Sequence, residues 1–339
     1  MTQQPARHLA FVVPWCEKGK WLWEYLPHGI AGDVLSAAPE TNDGRRYLPP
    51  YLGEAVHLLR RRADWNRYEV VFAWELRCAL AVSLCRYRGR HGQPPPRFVV
   101  VGPILKGPIR RVLPLIRWAL RDADPIVCFS SAECEENSRL LRMPRERFVF
   151  LPTPWQGERE LPEPVRGEEQ FILALGQSNR DYKTLIRAVR ETDLPVVIVA
   201  GNRSVLGGEP IPLNVTVRFN TNSVETDRLI VASTLNCIPL HPANFSAGQS
   251  VLLRTMAQGK AVVVSDTPGV RDYVQKDKTA VLVPPGDAEA LRRELLHLWH
   301  DPAERKRLGC HAAQTVREEF GFARFTERLL RVAQVLLSG

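Results

Sequence analysis

Short apolar runs of strand length alternate with helix-like stretches through almost the whole chain, and this alternation limits the fold more than any other feature. In the first half "HLAFVVPW", "YEVVFAW", "RFVVVG", "DPIVCFSS" and "RFVFLP" read as strands, with "ELRCALAVSLCRYR", "PIRRVLPLIRWALRDA" and "AECEENSRLL" as helices between them. In the second half "FILALG", "PVVIVAG", "VTVRF", "LNCIPL", "KAVVVSD" and "TAVLVPP" repeat the pattern around "DYKTLIRAV", "SVETDRLIVAS" and "VLLRTMAQG". Strands that are apolar on both faces and separated by crossover helices form parallel sheets. Between the halves, "TPWQGERELPEPVRGEEQ" is rich in Pro, Gly and charge and carries no such run. The expected architecture is α/β, with two Rossmann-like doubly wound domains and a cleft between them. The expected boundaries are 1–155, a linker at 156–169, a second domain at 170–321, and a final helix at 322–339 that crosses back to the first domain.

The 339 residues are enough for two domains of ordinary size. No apolar run reaches the roughly 18 residues of a membrane span. The N-terminal stretch lacks a basic n-region and a clear cleavage site, so Leu9–Pro14 reads as a buried first strand. Seven cysteines without a C-x-x-C pair suggest neither a disulfide framework nor a zinc site, and a reducing, cytosolic setting is expected. The formal charge of +9 is uneven: residues 1–160 hold 24 Lys/Arg and 17 Asp/Glu, and ten basic residues and no acid lie between Leu76 and Arg121. Such a block attracts a polyanion, whether membrane phospholipid, nucleic acid or a phosphorylated substrate.

Two strand-to-helix turns carry anion chemistry. In "LALGQSNRDYKT" the chain turns at Gly176 and a helix starts near Asp181, so backbone N–H groups and a helix N-terminus meet Arg180 and Lys183. Either this loop holds a pyrophosphate, or Ser178 or Asn179 caps the helix and both cations are solvated. In "HPANFSAGQSVLLR" the small residues Ser246, Ala247 and Gly248 lead through Gln249 and Ser250 into a helix, with His241 at the end of the preceding strand. Either the backbone closes on a ligand here, or the turn is an ordinary connection.

From Phe171 to Gly286 the chain resembles the donor half of GT-B glycosyltransferases of the retaining family 4 type. "GQSNRDYKTLIRAV" is similar to that family's Gly-Arg…Lys phosphate loop. "SAGQSVLLRTMAQGKAVVVSDTPGVRDYV" is similar to its E-x7-E segment, and "TAVLVPPGDAEAL" to the "GxLVPPGD" strand and helix that follow. The first half matches more weakly, through "DADPIVCFSSAECEENSRLLRMPRERFVFLPTP". The resemblance implies a sugar transferase that uses a nucleotide sugar, with a UDP-sugar favoured, no resident cofactor and no metal. Arg180 and Lys183 would hold the diphosphate and the helix start at Gly248–Ser250 would share that task, with Gly176, Asn179, Ser246, Ala247 and Gln249 completing the donor site; His241, at the end of the preceding strand, is a candidate for a place near the sugar. Two departures stand out: Ser246 and Arg254 occupy the positions of the two acids of E-x7-E. A guanidinium donates only and cannot accept the ribose hydroxyls. Arg254 is therefore expected to reach a phosphate, an acidic sugar or Asp266, or to snorkel on a partly exposed helix. These departures leave open a catalytically weak scaffold protein.

Glu75, directly after "VVFAW", is a candidate for acceptor contact or proton transfer, against the alternative of a helix cap. His297 and His300 lie one helical turn apart in an exposed helix and are not expected to bind metal. In 106–121, Ile109, Val112, Leu113, Ile116 and Leu120 share one helical face, and Arg110, Arg117 and Arg121 another, with Trp118 beside them. This basic amphipathic segment is expected either to meet an anionic membrane at its inner face or to be a core-facing helix with a solvated basic side. The acceptor is expected to be lipid-linked or anionic. Nucleic acid is not expected as a partner, because aromatic residues are not interleaved with the basic ones.

Overall fold

The computed structural model describes residues 7–13, 25–36, 65–85, 94–105, 107–155 and 170–334. The linker expected at 156–169, Lys106 and the arginines of 86–93 lie outside the described residues. The chain divides into two compact units: Met1–Leu151 together with Phe322–Gly339, and Pro152–Gly321.

The first unit runs β1 (Arg7–Val13), β2 (Ile30–Ser36), β3 (Val70–Trp74), α1 (Glu75–Cys85), β4 (Arg97–Val101), α2 (Leu113–Leu120), β5 (Ala123–Cys128), α3 (Ser131–Leu141) and β6 (Phe148–Phe150). The second contains β7 (Ile172–Leu175), α4 (Tyr182–Val189), β8 (Val196–Ala200), β9 (Val215–Phe219), α5 (Ser223–Ala232), β10 (Leu235–Ile238), α6 (Gln249–Ala257), β11 (Val262–Ser265), α7 (Pro268–Arg271), β12 (Val281–Val283), α8 (Ala288–His300) and α9 (Pro302–Glu319). A last helix, α10 (Phe322–Val332), belongs to the first unit.

Each unit holds one six-stranded parallel sheet, ordered β2-β1-β3-β4-β5-β6 and β12-β11-β10-β7-β8-β9. Alternate residues of one strand face opposite sides, and both sides are buried. Ala10 and Val12 join the core shared with Cys78, Val82, Ile116 and Leu120, whereas Leu9, Phe11 and Val13 join the core closed by Phe322, Phe325, Leu329 and Leu330 of α10. The second sheet divides in the same way, with Ile172 and Ala174 on one side and Leu173 and Leu175 on the other. This two-sided burial is why the strands read as continuous apolar runs.

β2 escaped that reading. It is an edge strand, "IAGDVLS", half-buried along most of its length, and Gly32 and Asp33 interrupt its apolar pattern. The segment from 107 to 120 also differs from the expected single amphipathic helix. Residues 107–112 form a 3-10 turn, and α2 begins only at Leu113, with Pro114 in its first turn. A proline removes a donor and is tolerated there. Ile116, Ala119 and Leu120 are buried and Ile109 and Leu113 are packed against the core, but Val112 is exposed.

Candidate functional site

Ligands of open parallel sheets bind beyond the carboxyl ends of the strands, where the strand order reverses. In the second unit the order places β7 beside β10, with chain continuation on opposite sides, so the reversal lies between them. The loops that leave these two strands are 176–181 and 239–248, the two turns singled out by their sequence.

The first loop is pinned to the second by backbone. Asp181 N donates to Pro239 O at 3.0 Å and His241 N to Asn179 O at 3.1 Å, and Asn179 Nδ2 returns a bond to His241 O at 2.7 Å. Asn179 takes a left-handed φ of 60°, which asparagine tolerates better than most residues. Asp181 caps α4, accepting from Thr184 N at 3.1 Å and Thr184 Oγ1 at 2.7 Å, so the alternative reading in which Ser178 or Asn179 caps the helix does not hold. Tyr182, fully buried, donates its hydroxyl to Gly176 O at 2.6 Å, and burial pushes its ionisation well above the ordinary range.

Arg180 is the unusual member. Its side chain folds under the loop and is only 6% exposed. Nε donates to Leu175 O at 3.0 Å and Nη1 to Ser178 O at 2.8 Å. No carboxylate pairs with it among the described residues. Burial lowers its affinity for the proton, yet a guanidinium stays charged at any physiological pH. The position demands Gly176: φ is +121°, and an added Cβ would lie 2.6 Å from the Arg180 Cζ. A buried cation that meets only carbonyl dipoles is a preformed partner for an anion.

Lys183, on the first turn of α4, is half-exposed, and its ammonium lies 3.8 Å from Glu209 Oε1. Glu209 also accepts from Arg187 Nε at 2.9 Å and Arg190 Nη2 at 2.6 Å, and these bonds hold its carboxyl below the usual range. One carboxylate therefore serves three cations.

Gly248 begins α6 with φ +90° and no side chain caps the helix. The first intrahelical donor is Leu252 N, to Gly248 O at 2.9 Å, so the amides of 249–251 have no partner within the helix. Ser250 is exposed, while Ser246 and Ala247 are buried. Gln249 is buried and turns inward, its Nε2 donating to Gly269 O at 2.8 Å. His241 is exposed, with Nδ1 3.7 Å from Asp181 Oδ2.

Arg254 does not fold back toward the helix start, and it does not meet Asp266, which is bonded to Arg271 Nε at 2.7 Å. Its Nη2 pairs with Asp227 Oδ1 on α5 and lies 3.5 Å from Ser223 O. The Asp227 carboxylate on the neighbouring helix lies within reach and takes the guanidinium. Sequence pattern had not indicated Asp227 or Glu209, since both partners come from distant segments.

In the first unit the strand order reverses between β1 and β3, and Glu75 is the first residue after β3. Its φ of +64° is strained for a glutamate. Burial raises its carboxyl above the ordinary value, partly offset by Arg77, 3.5 Å away. The adjoining Trp74 ring packs against Phe129 and Phe325. Among the described residues no group of three or more His, Cys, Asp or Glu could hold a metal ion.

Residues 163–315 match the family described as "Glycosyl transferases group 1". No curated protein sequence matches the chain. Three solved structures are similar over nearly its whole length. Sucrose-phosphate synthase from Thermosynechococcus elongatus is 16% identical, with a TM-score of 0.71, covering 97% of this chain and 98% of that one. Anabaena HepE, solved in complex with UDP and glucose, is 14% identical, with a TM-score of 0.70, covering 97% and 100%. A glycosyltransferase from Rickettsia africae is 13% identical, with a TM-score of 0.67, covering 98% and 99%. The two parallel six-stranded sheets with their flanking helices are those of the GT-B glycosyltransferase fold, and the family match falls on the unit that carries Arg180, Lys183 and the start of α6.

Proposed function

We propose that the protein is a glycosyltransferase that moves a sugar from a UDP-sugar to an acceptor hydroxyl, with the donor held by Pro152–Gly321 and the acceptor by the first unit. The observation that carries this reading is Arg180, a buried guanidinium with no carboxylate partner among the described residues, on the loop at the strand-order reversal where α6 also starts without a side-chain cap. The match to glycosyl transferases group 1 and the UDP bound in HepE support it. As the bond from the sugar C1 to the diphosphate oxygen breaks, negative charge grows on the leaving UDP. Fixed positive groups act best where such charge develops. Arg180, Lys183 and the amides of Gly248–Ser250 supply them, without a metal. Asn179, His241 and the turn at Ser246 and Ala247 border the sugar. Glu75 contacts the incoming hydroxyl or receives its proton, and the new bond forms with retention at C1. The acceptor is lipid-linked or anionic, and the reaction runs at the inner face of a membrane.

Calorimetry with UDP, GDP and ADP, with and without chelator, tests the donor reading. Tight UDP binding that survives chelation supports it, and absence of binding to any of the three sinks it. A second reading, a catalytically weak scaffold, is favoured by one observation: neither position of E-x7-E holds an acid, and Arg254 is occupied by Asp227. Slow hydrolysis of UDP-sugar without acceptor separates the two, since a scaffold releases no sugar.

A further inference from the structure

The residues that α2 leaves in solvent do not match its expected basic side. Val112, Leu115 and Trp118 are 47%, 40% and 45% exposed, although Ile116, Ala119 and Leu120 of the same segment are buried. The three exposed residues are spaced three apart and lie along one side of the segment. On α1, which packs on α2 through Ser83 Oγ and Ala119 O at 2.8 Å, Leu84 is also 44% exposed. Cations accompany the strip. Arg111 is exposed, and the Arg121 guanidinium lies 5.1 Å from the centre of the Trp118 ring, with Asp122 3.5 Å from its Nε. Arg117 is tied inward to Leu140 O at 2.9 Å.

Three apolar side chains offer roughly 250 Å² in this state, against about 800 Å² per partner in a stable protein interface. The strip is small for the apolar centre of a stable protein interface, and its apolar row does not suit a nucleic acid. A bilayer asks for less area: a Trp and short aliphatic chains enter the headgroup boundary while arginines meet anionic lipid. Arg111 and Arg121 give the edges of the strip the complementary charge.

We propose that Val112, Leu115 and Trp118, flanked by Arg111 and Arg121, dock the first unit on an anionic phospholipid surface by shallow insertion. Docking at this face is independent of the donor site, so UDP affinity serves as the control. The full chain is co-sedimented with vesicles of phosphatidylcholine containing phosphatidylglycerol, and with phosphatidylcholine alone. Binding should require the anionic lipid and weaken with salt. Trp118→Ala with Leu115→Ser should lower it about tenfold or more, and Arg111→Gln with Arg121→Gln about thirtyfold. Both doubles should melt near the parent temperature and bind UDP unchanged. No binding to anionic vesicles overturns the proposal, as does equal binding to neutral ones. Binding that the Trp118/Leu115 double leaves intact, alongside equal retention on a soluble polyanion, also overturns it and reassigns the surface to charge alone.

Discussion

Replacing Arg180 by methionine separates a binding role from a structural one. The guanidinium makes two bonds to carbonyls, at 3.0 and 2.8 Å. Bonds from a charged donor contribute about 1.5–3 kcal/mol each, so their loss alone costs about 3–6 kcal/mol. Against this stands the desolvation of a cation that is 6% exposed with no carboxylate beside it among the described residues, a penalty of several kcal/mol. Methionine has similar length and no charge, so the two terms nearly cancel and stability should change by less than about 1.5 kcal/mol. For a unit of this size that is a shift of under about 6 °C in the melting temperature. UDP affinity has no such compensation. Losing a charge-assisted contact to the diphosphate should cost about 1.5–3 kcal/mol, a rise of roughly 10- to 150-fold in Kd. Calorimetry with UDP at pH 7.5, paired with a thermal melt, reads both quantities. If Arg180→Met lost more than about 3 kcal/mol of stability while binding UDP within twofold of the parent, the guanidinium would be a loop brace and the donor assignment would fall.

Three further outcomes follow from the same geometry. Lys183→Ala should weaken UDP binding about tenfold or more, whereas Glu209→Gln should strengthen it by releasing Lys183; calorimetry at low and high salt checks both, and equal affinity in all three chains counts against Lys183. Arg254→Glu sets an acid against Asp227 and should cost about 1–3 kcal/mol, with Asp227→Ala relieving part of it in a double-mutant cycle; a rise in both donor affinity and turnover for a UDP-sugar would instead favour the scaffold reading. Because burial raises the Glu75 carboxyl above its unfolded value, its ionisation opposes folding: the protein gains nothing from it below about pH 4 and loses stability as pH rises through the raised pKa. Glu75→Gln should therefore melt like the parent at low pH and higher than it at neutral pH, and should lower turnover; a neutral-pH melt below the parent's contradicts the sign.

The strands most legible in the sequence were those buried on both faces, such as Phe98–Val101 and Val262–Ser265, because nothing polar interrupts them. The edge strand Ile30–Ser36 was not legible for the opposite reason. The two anion-ready turns could be read locally from Gly176 and Gly248, and their pairing across β7 and β10 follows from strand order. Partnership was hidden. The pairing of Arg254 with Asp227, and of Lys183 with Glu209, depends on which helices the fold brings together. The outward strip was legible only in part: Val112 was expected on the core-facing side, whereas it lies in the 3-10 turn before α2 and is exposed.

The return of α10 to the first sheet has a consequence for synthesis. Pro152–Gly321 is one continuous stretch and can complete its own core before residue 322 leaves the ribosome. The first unit cannot. One face of its sheet, with Leu9, Phe11, Phe72 and Val101, is closed by Phe325, Leu329 and Leu330. At translation rates of about 5–20 residues per second, that face waits on the order of ten to thirty seconds after β6 is made. The usual order of N-terminal domain first is thereby reversed, and the earliest-made half is the last to close.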